Sequence, residues 1–265
     1  MIVIADPMDP RLDDYRALND QPFRRRYEAD ECFIAEGYVA IDRLIESGHR
    51  IRSVLLAPSR VDRFLERAGT LVPDGLDVYI ADRAVIASVV GFDLHRGVIA
   101  CAERRTSLEL SDLTSSARRV AVLEGLNDAE NVGAIARAAR AFGIDGLVLD
   151  PTCTDHYSRR TVRVSMGEVL LLPTVRGGST SDTIGQLRAG GFEVWAMTPA
   201  GTADDLWELP VPDRVALALG AEGPGLDRRT MAAADRLVRI PIAAHVDSLN
   251  VGHAAAVTFA ALTRP

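Results

Sequence analysis

Three stretches of this 265-residue chain set polar side chains at the ends of apolar runs, where α/β proteins build ligand sites. Residues 217–226 (LALGAEGPGL) and 239–257 (RIPIAAHVDSLNVGHAAAV) each start as a strand and break into Gly, Pro and small polar residues. The second then enters an apolar helix. Together they hold a carboxylate (Glu222), a hydroxyl (Ser248) and an amide (Asn250). The GAEGPG run has the look of a phosphate cradle. Its glycines are spaced G-x-x-G-x-G rather than G-x-G-x-x-G, so a dinucleotide site is weakly supported and a Pro/Gly turn accounts for it as well. Glu222 is the unusual member, because a Gly-flanked acid in a buried turn is costly unless bonded. Ser248 or Asp247 suits the N-cap of the final helix. His245 and His253 have no carboxylate partner at metal spacing, and no G-x-S-x-G elbow supports a serine nucleophile. No metal is expected.

The third stretch is GLNDAENVGAIARAARAFG (125–143). Asn131 can cap a helix, and Arg137 lies six residues further on. That offset puts the two on different faces, whereas Arg137 and Arg140 are helical neighbours. Taken alone, this is a capped helix with a solvated Arg pair.

The elements that must position these groups alternate along the chain. Residues 33–37 read as a strand opening into a helix over 38–47 that Gly48 closes. Strands follow at 51–58, 76–81 and 97–102, with helices at 59–68 and 82–89 between them. Residues 106–118 are polar and rich in Ser and Thr, a linker. Beyond it, strands at 120–125, 146–150, 192–197, 215–220 and 237–242 alternate with helices at 131–142, 180–189, 226–234 and 251–262. That alternation predicts a covered, mostly parallel sheet.

Bulk properties narrow the class. The composition is that of a globular protein, 48% apolar and 25% charged. No apolar run reaches the roughly 18 residues of a membrane span, and the N-terminus lacks the basic region of a signal peptide. Cys32, Cys101 and Cys153 are isolated, which fits a reducing cytoplasm. The net charge is −7, with 15 Arg against 20 acids in residues 1–117 and 15 Arg against 17 acids in 118–265. Contact with nucleic acid must therefore use local patches. All thirty cations are Arg, whose planar fork suits phosphate.

Taken together, the three stretches resemble the signature motifs of the SpoU-type (TrmH-like) RNA 2′-O-ribose methyltransferases of the SPOUT superfamily. The first matches as Asn131-Val-Gly133-Ala-Ile-Ala-Arg137, the second as Leu219-Gly220-Ala-Glu222-Gly223-Pro-Gly225. The third runs from Ile240-Pro241-Ile to Ser248-Leu249-Asn250-Val251, and Arg163-Val-Ser165-Met-Gly167 is a weaker fourth. Ala244 stands where the family usually has Gly, and Gly252 where Ser is more familiar. The resemblance covers 118–265. Residues 1–105, including 33–37 and 95–100, are similar to the family's small ribosomal-protein-like substrate-binding domain.

The resemblance implies an RNA-binding domain over 1–105, a linker at 106–118 and a methyltransferase domain over 119–265. The latter would be a parallel α/β sheet with a trefoil knot. It implies S-adenosylmethionine, with Gly220 permitting close backbone approach and Ile240 and Leu249 meeting the adenine; Thr198 is a further candidate. The reaction would be methyl transfer to a ribose 2′-hydroxyl of rRNA or tRNA. Arg137 would act there as a cation that clamps phosphate and stabilises the alkoxide, oriented with the ribose by Asn131, Glu222, Ser248 and Asn250. Arg163 would take an RNA phosphate, and Arg24–Arg26 with Arg159 and Arg160 would add to the patch. A homodimer through the C-terminal domain is also implied. Two other classes fit parts of the sequence: an RNA-binding module of the same fold without turnover, and an oxidoreductase suggested only by GAEGPG.

Overall fold

Strand and helix signals alternate in both halves of the chain, and the structure gathers them into two sheets. The computed structural model describes residues 1–28, 31–69, 75–95 and 97–263, with Arg25 and Ala68 as backbone only. Arg96 of the 95–100 match and the side chain of Arg25 thus lie outside the described residues. One unit comprises Met1–Thr106 with Tyr157–Leu171, the other Ser107–His156 with Leu172–Pro265.

The first unit begins with β1 (Ile2–Val3), α1 (Gln21–Glu28), β2 (Cys32–Glu36), α2 (Tyr38–Ser47) and β3 (Ile51–Leu56). It continues with α3 (Val61–Ala68), β4 (Asp77–Ile80), α4 (Arg83–Val90) and β5 (Val98–Glu103). The chain then enters the second unit with α5 (Leu110–Ser116), β6 (Arg119–Glu124), α6 (Ala129–Ala141) and β7 (Gly146–Leu149). It returns to the first with α7 (Arg159–Val164). It finishes in the second with β8 (Thr174–Arg176), α8 (Thr180–Ala189), β9 (Glu193–Met197), β10 (Asp204–Asp205), β11 (Val215–Gly220), α9 (Arg228–Ala233), β12 (Arg236–Arg239) and α10 (Val251–Leu262).

The first unit's sheet has the order β1-β4-β3-β5-β2, parallel from β1 to β3 and antiparallel at β5 and β2. Every residue of β2 is buried, so both its faces are covered. The acidic first thirty residues contribute to this core, because Leu12 and Tyr15 of a 3₁₀ turn are fully buried. The Tyr15 hydroxyl lies 2.7 Å from Ser53 Oγ.

Arg24 corrects the sequence reading. It is 4% exposed, pairs with Glu28 at 2.7 Å, and donates to the carbonyls of Asp14 and Arg16. A guanidinium spent on closing α1 onto its own neighbours cannot meet an RNA phosphate.

Placing 119–265 in a single domain also needs correction, because residues 157–171 pack with the first unit. The Tyr157 ring centroid lies 4.7 Å from that of Phe33, and its hydroxyl lies 3.1 Å from His49 Nε2. Arg159 donates to Glu36 at 3.0 Å and to Asn19 at 2.9 Å, so it too is a structural tie. Gly167, with φ of 82°, rests on α2, where an added Cβ would come within 2.9 Å of Ala40 Cα. The Arg163–Gly167 motif thus reads locally as a helix followed by a close-packed turn.

The second unit's sheet is parallel throughout, in the order β10-β12-β9-β11-β6-β7-β8. The apolar runs VALAL of β11 and GLVL of β7 are buried on both faces, as a helix-covered parallel sheet requires. The expected linker contains α5, whose Leu113 is buried against this core with Leu108 and Leu110 packed beside it. Asp128, rather than Asn131, caps α6, accepting from Glu130 N at 2.9 Å. Asn250, rather than Ser248 or Asp247, caps α10, accepting from Gly252 N at 2.9 Å. α10 packs against α6.

Candidate active site

A parallel sheet sends every strand's C-terminal end to one edge, and in the second unit the polar segments all leave from that edge. β9 leads into Thr198 and Pro199, β11 opens into the 221–225 turn, and β12 runs into the loop 240–250. These three adjacent strand ends enclose a cavity of about 640 Å³. Thr198, Gly220, Ile240 and Leu249, the residues expected at a cofactor, all line it, as do Glu222, Ser248 and Asn250. Ile242, Asp247 and Val251, all within the third motif, complete much of the wall with Met197 and Ala254, which nothing in their residue types marks.

The 221–225 turn is a tight one. Gly223 and Gly225 have φ of 86° and 71°, and Gly225 N donates to Ala221 O at 3.0 Å. Gly220 precedes it and also has a packing role within the fold. A Cβ there would lie 2.3 Å from Gly225 C and 2.4 Å from Leu226 N. The missing side chain makes room for the returning backbone of the turn. Valine at 220 would therefore break the turn instead of simply filling the cavity.

Glu222 sits at the tip of this turn and is exposed, not buried. Its Oε1 accepts from Asn250 Nδ2 and, at 3.3 Å, from Asn131 Nδ2. Asn250 Nδ2 also donates to Asn131 Oδ1 at 2.9 Å. The cap settles which way the Asn250 amide points: its Oδ1 is taken by Gly252 N and His253 N, so Nδ2 must turn to Glu222. Residues far apart in the chain thus meet in one bonded cluster. The Ser248 hydroxyl is exposed and makes no hydrogen bond among the described residues.

The structure places Arg137 elsewhere. It is exposed on α6, has no ion pair or hydrogen bond of its own among the described residues, and lines neither this cavity nor its neighbour. The offset from Asn131 read in the sequence holds, because both residues are helical and only Asn131 turns to the cluster. Arg163 belongs to the first unit, half exposed, with Nη1 4.0 Å from Glu36.

A second cavity, of about 1130 Å³, opens at the ends of β6, β7 and β11. Asn131 lines it, and Ala221, Glu222 and Gly225 face both cavities, so the turn is their shared wall. Its other distinctive residues, Thr180, Arg228 and Arg229, were not anticipated, although the RR pair directly after GAEGPGLD was legible.

A doubly flanked parallel sheet with two cavities at its C-terminal edge defines an α/β protein that binds its ligands at loop ends. The SpoU rRNA Methylase family model matches residues 118–260. A tRNA/rRNA methyltransferase of Mycobacterium bovis is 41% identical over 98% of this chain and 91% of its own. The 23S rRNA (guanosine-2′-O-)-methyltransferase RlmB of Salmonella typhimurium is 29% identical over 81% of this chain and 91% of its own. Among solved structures, an AdoMet-bound rRNA methyltransferase from Sinorhizobium meliloti superposes with a TM-score of 0.79. It is 28% identical, covering 98% of this chain and 96% of that one. The chain belongs to the SpoU rRNA methylase family.

Proposed function

We propose that this protein methylates RNA from S-adenosylmethionine, and that the acceptor is a ribose 2′-hydroxyl of rRNA or tRNA. The observation that carries this reading is the Asn131–Glu222–Asn250 cluster, bonded together at the rim of the strand-end cavity. The cavity fits the cofactor: its volume falls within the ~300–1,000 Å³ range of small-molecule sites, and its lining mixes apolar residues with a few convergent polar groups. Ile240 and Leu249 would hold the adenine, with Thr198 and the backbone from Gly220 alongside. The sulfonium supplies an activated methyl group.

The protein's part is to place the ribose and stabilise charge on its oxygen. Glu222 Oε1 is taken by the two amides, and Ser248 brings a free hydroxyl to the same wall. Arg137 serves as a permanently charged donor to the developing alkoxide and its phosphate, since a guanidinium does not act as a base; the hydroxyl proton leaves to solvent water as the oxygen takes the methyl group, and the donor departs as a neutral thioether. Arg137 lies off both cavity walls of its own chain, which favours a homodimer through the second unit that completes each site. The trefoil knot belongs to the same reading, with the chain beyond β12 threading through a loop before α10 settles on α6. Arg163 remains the proposed RNA contact of the first unit. Among the described residues no helix is long and apolar enough to cross a membrane, and action on RNA suits the cytoplasm.

The test is methyl transfer from labelled S-adenosylmethionine to ribosomal RNA and tRNA, followed by alkaline hydrolysis. A 2′-O-methyl group blocks cleavage at its own phosphodiester, so the label should appear in alkali-resistant dinucleotides. Label in mononucleotides would place the methyl on a base and overturn the ribose assignment. Arg137→Ala should lower the rate about 10²–10³-fold with cofactor affinity within a few-fold, and Arg137→Lys should restore little because it lacks the fork.

A further inference from the structure

Two guanidiniums without a partner among the described residues lie beside the second cavity, in a lining that also carries five carboxylates. Elsewhere in the second unit arginines are largely spent: Arg176 donates to the Asp150 and Cys153 carbonyls, Arg188 pairs with Asp235, Arg214 holds three carbonyls, and Arg236 bridges Glu193 and Asp204. Arg228 and Arg229 are exposed, line the cavity, and make no side-chain hydrogen bond or ion pair among the described residues.

The acids around the same cavity are spent in turn. Glu124 accepts from Asp227 N at 2.5 Å and from the Thr230 hydroxyl. Asp150 accepts from Thr152 Oγ1 at 2.9 Å and Cys153 N at 2.8 Å. Asp128 caps α6, Asp227 caps α9, and Glu222 holds the two amides. The carboxylates build the frame, and the guanidiniums are left for a ligand.

A second feature points the same way. The ten-residue helix α8 starts at this cavity, with Ser179, Thr180 and Ser181 in the lining. Ser179 Oγ is used by Asp182 N at 3.2 Å, while the first-turn amides of Thr180 and Ser181 have no acceptor within the helix. Thr180 is 5% exposed, yet its Oγ1 has no partner among the described residues. A buried hydroxyl without a partner is rare and calls for one. A helix N-terminus with free amides favours an anion.

We propose that the second cavity seats a phosphodiester of the substrate RNA next to the methylated nucleotide. Arg228 and Arg229 neutralise the phosphate, and Thr180 Oγ1 and the first turn of α8 donate to its oxygens. This rests on the RNA methylation reading above, and it assigns the path by which RNA reaches the Asn131–Glu222–Asn250 cluster from the side opposite the cofactor.

The full-length protein and its Arg228→Ala/Arg229→Ala variant are titrated with a short fluorescent single-stranded RNA of mixed sequence across a series of KCl concentrations. The slope of log K against log salt should become shallower by about 0.7 for each lost phosphate contact. In the methylation assay, KM for RNA should rise about tenfold or more while S-adenosylmethionine affinity stays at the wild-type value. Arg228→Lys/Arg229→Lys should recover the salt slope but not the full KM, because Lys is a point charge without the fork. Thr180→Val should raise KM for RNA a few-fold; an unchanged KM would mean the hydroxyl serves no ligand. A double-alanine variant with the wild-type slope and KM overturns the proposal. The slope is read without turnover, so it is decided separately from the methylation reading, which falls if wild-type protein transfers no methyl group to RNA.

Discussion

At Asn250 one amide does two jobs, and the two can be separated. Its Oδ1 starts α10 and its Nδ2 ties Glu222 to Asn131. Aspartate caps a helix as well as asparagine does, so Asn250→Asp should leave the start of α10 intact. It removes the donor, however, and sets a second carboxylate against Glu222. Like charges at contact raise the pKa of one member. Methyl transfer by Asn250→Asp should therefore fall by at least about tenfold at neutral pH and recover in part as the pH is lowered, when the shared proton again donates to Glu222. Rate–pH profiles with circular dichroism on the same samples decide it; a variant as active as wild type at neutral pH removes the amide from the mechanism. Asn250→Ala should differ by also costing helix stability, about 1 kcal/mol for the lost cap.

Among the elements, the 157–171 segment depends on His49 in the first unit. Burial, then the Arg105 charge, pushes the His49 imidazole down to about 4, so it is neutral in the fold. Unfolded, it takes its proton near pH 6.5. Between these values the unfolded chain binds a proton that the folded chain does not, so stability falls as the pH falls through that window. Denaturant midpoints should be lower at about pH 5 than at about pH 7, and His49→Gln should flatten that difference. Equal midpoints in wild type would show that the ring charges within the fold. No sequence pattern announced this contact. β11, α8 and α10 were legible to the residue, because an apolar run or a Ser N-cap marks each end. α5 was missed because its Ser and Thr residues mask Leu113, and α7 because its six residues carry a Ser158 cap but no sustained apolar period. At the site, Thr198 and Gly220 stand out as polar or small residues at strand ends, whereas Ile240 and Leu249 came from the family resemblance alone; all four line the cavity. The bonded cluster was less legible, since Asn131 and Asn250 are brought to Glu222 by strand order, which local sequence does not encode. Cys32 and Cys101 are a similar case: isolated in sequence, they lie with the half-buried Asp14 in one group whose sulfur and carboxylate oxygen atoms fall within 4.8 Å.

For the whole molecule, a net charge of −7 leaves little general attraction for RNA, and the buried Arg24 and the ion-paired Arg159 reduce it further. Affinity must come from few cations in defined places, which makes salt dependence a sharp readout of which ones act. The 221–225 turn carries a further consequence. A wall that faces two cavities gives them a physical route for coupling, and any such coupling is reciprocal. If S-adenosylmethionine changes the affinity for RNA by some factor, RNA must change the affinity for S-adenosylmethionine by that same factor, typically about 5–150-fold where the coupling is real. Two calorimetric titrations, each ligand with and without the other, should return equal ratios. A substitution that stiffens or strains the turn, such as Gly223→Ala at its φ of 86°, should shift both ratios together. Exchange of spent cofactor and release of modified RNA would then be timed by one short turn, three of whose residues face both ligands.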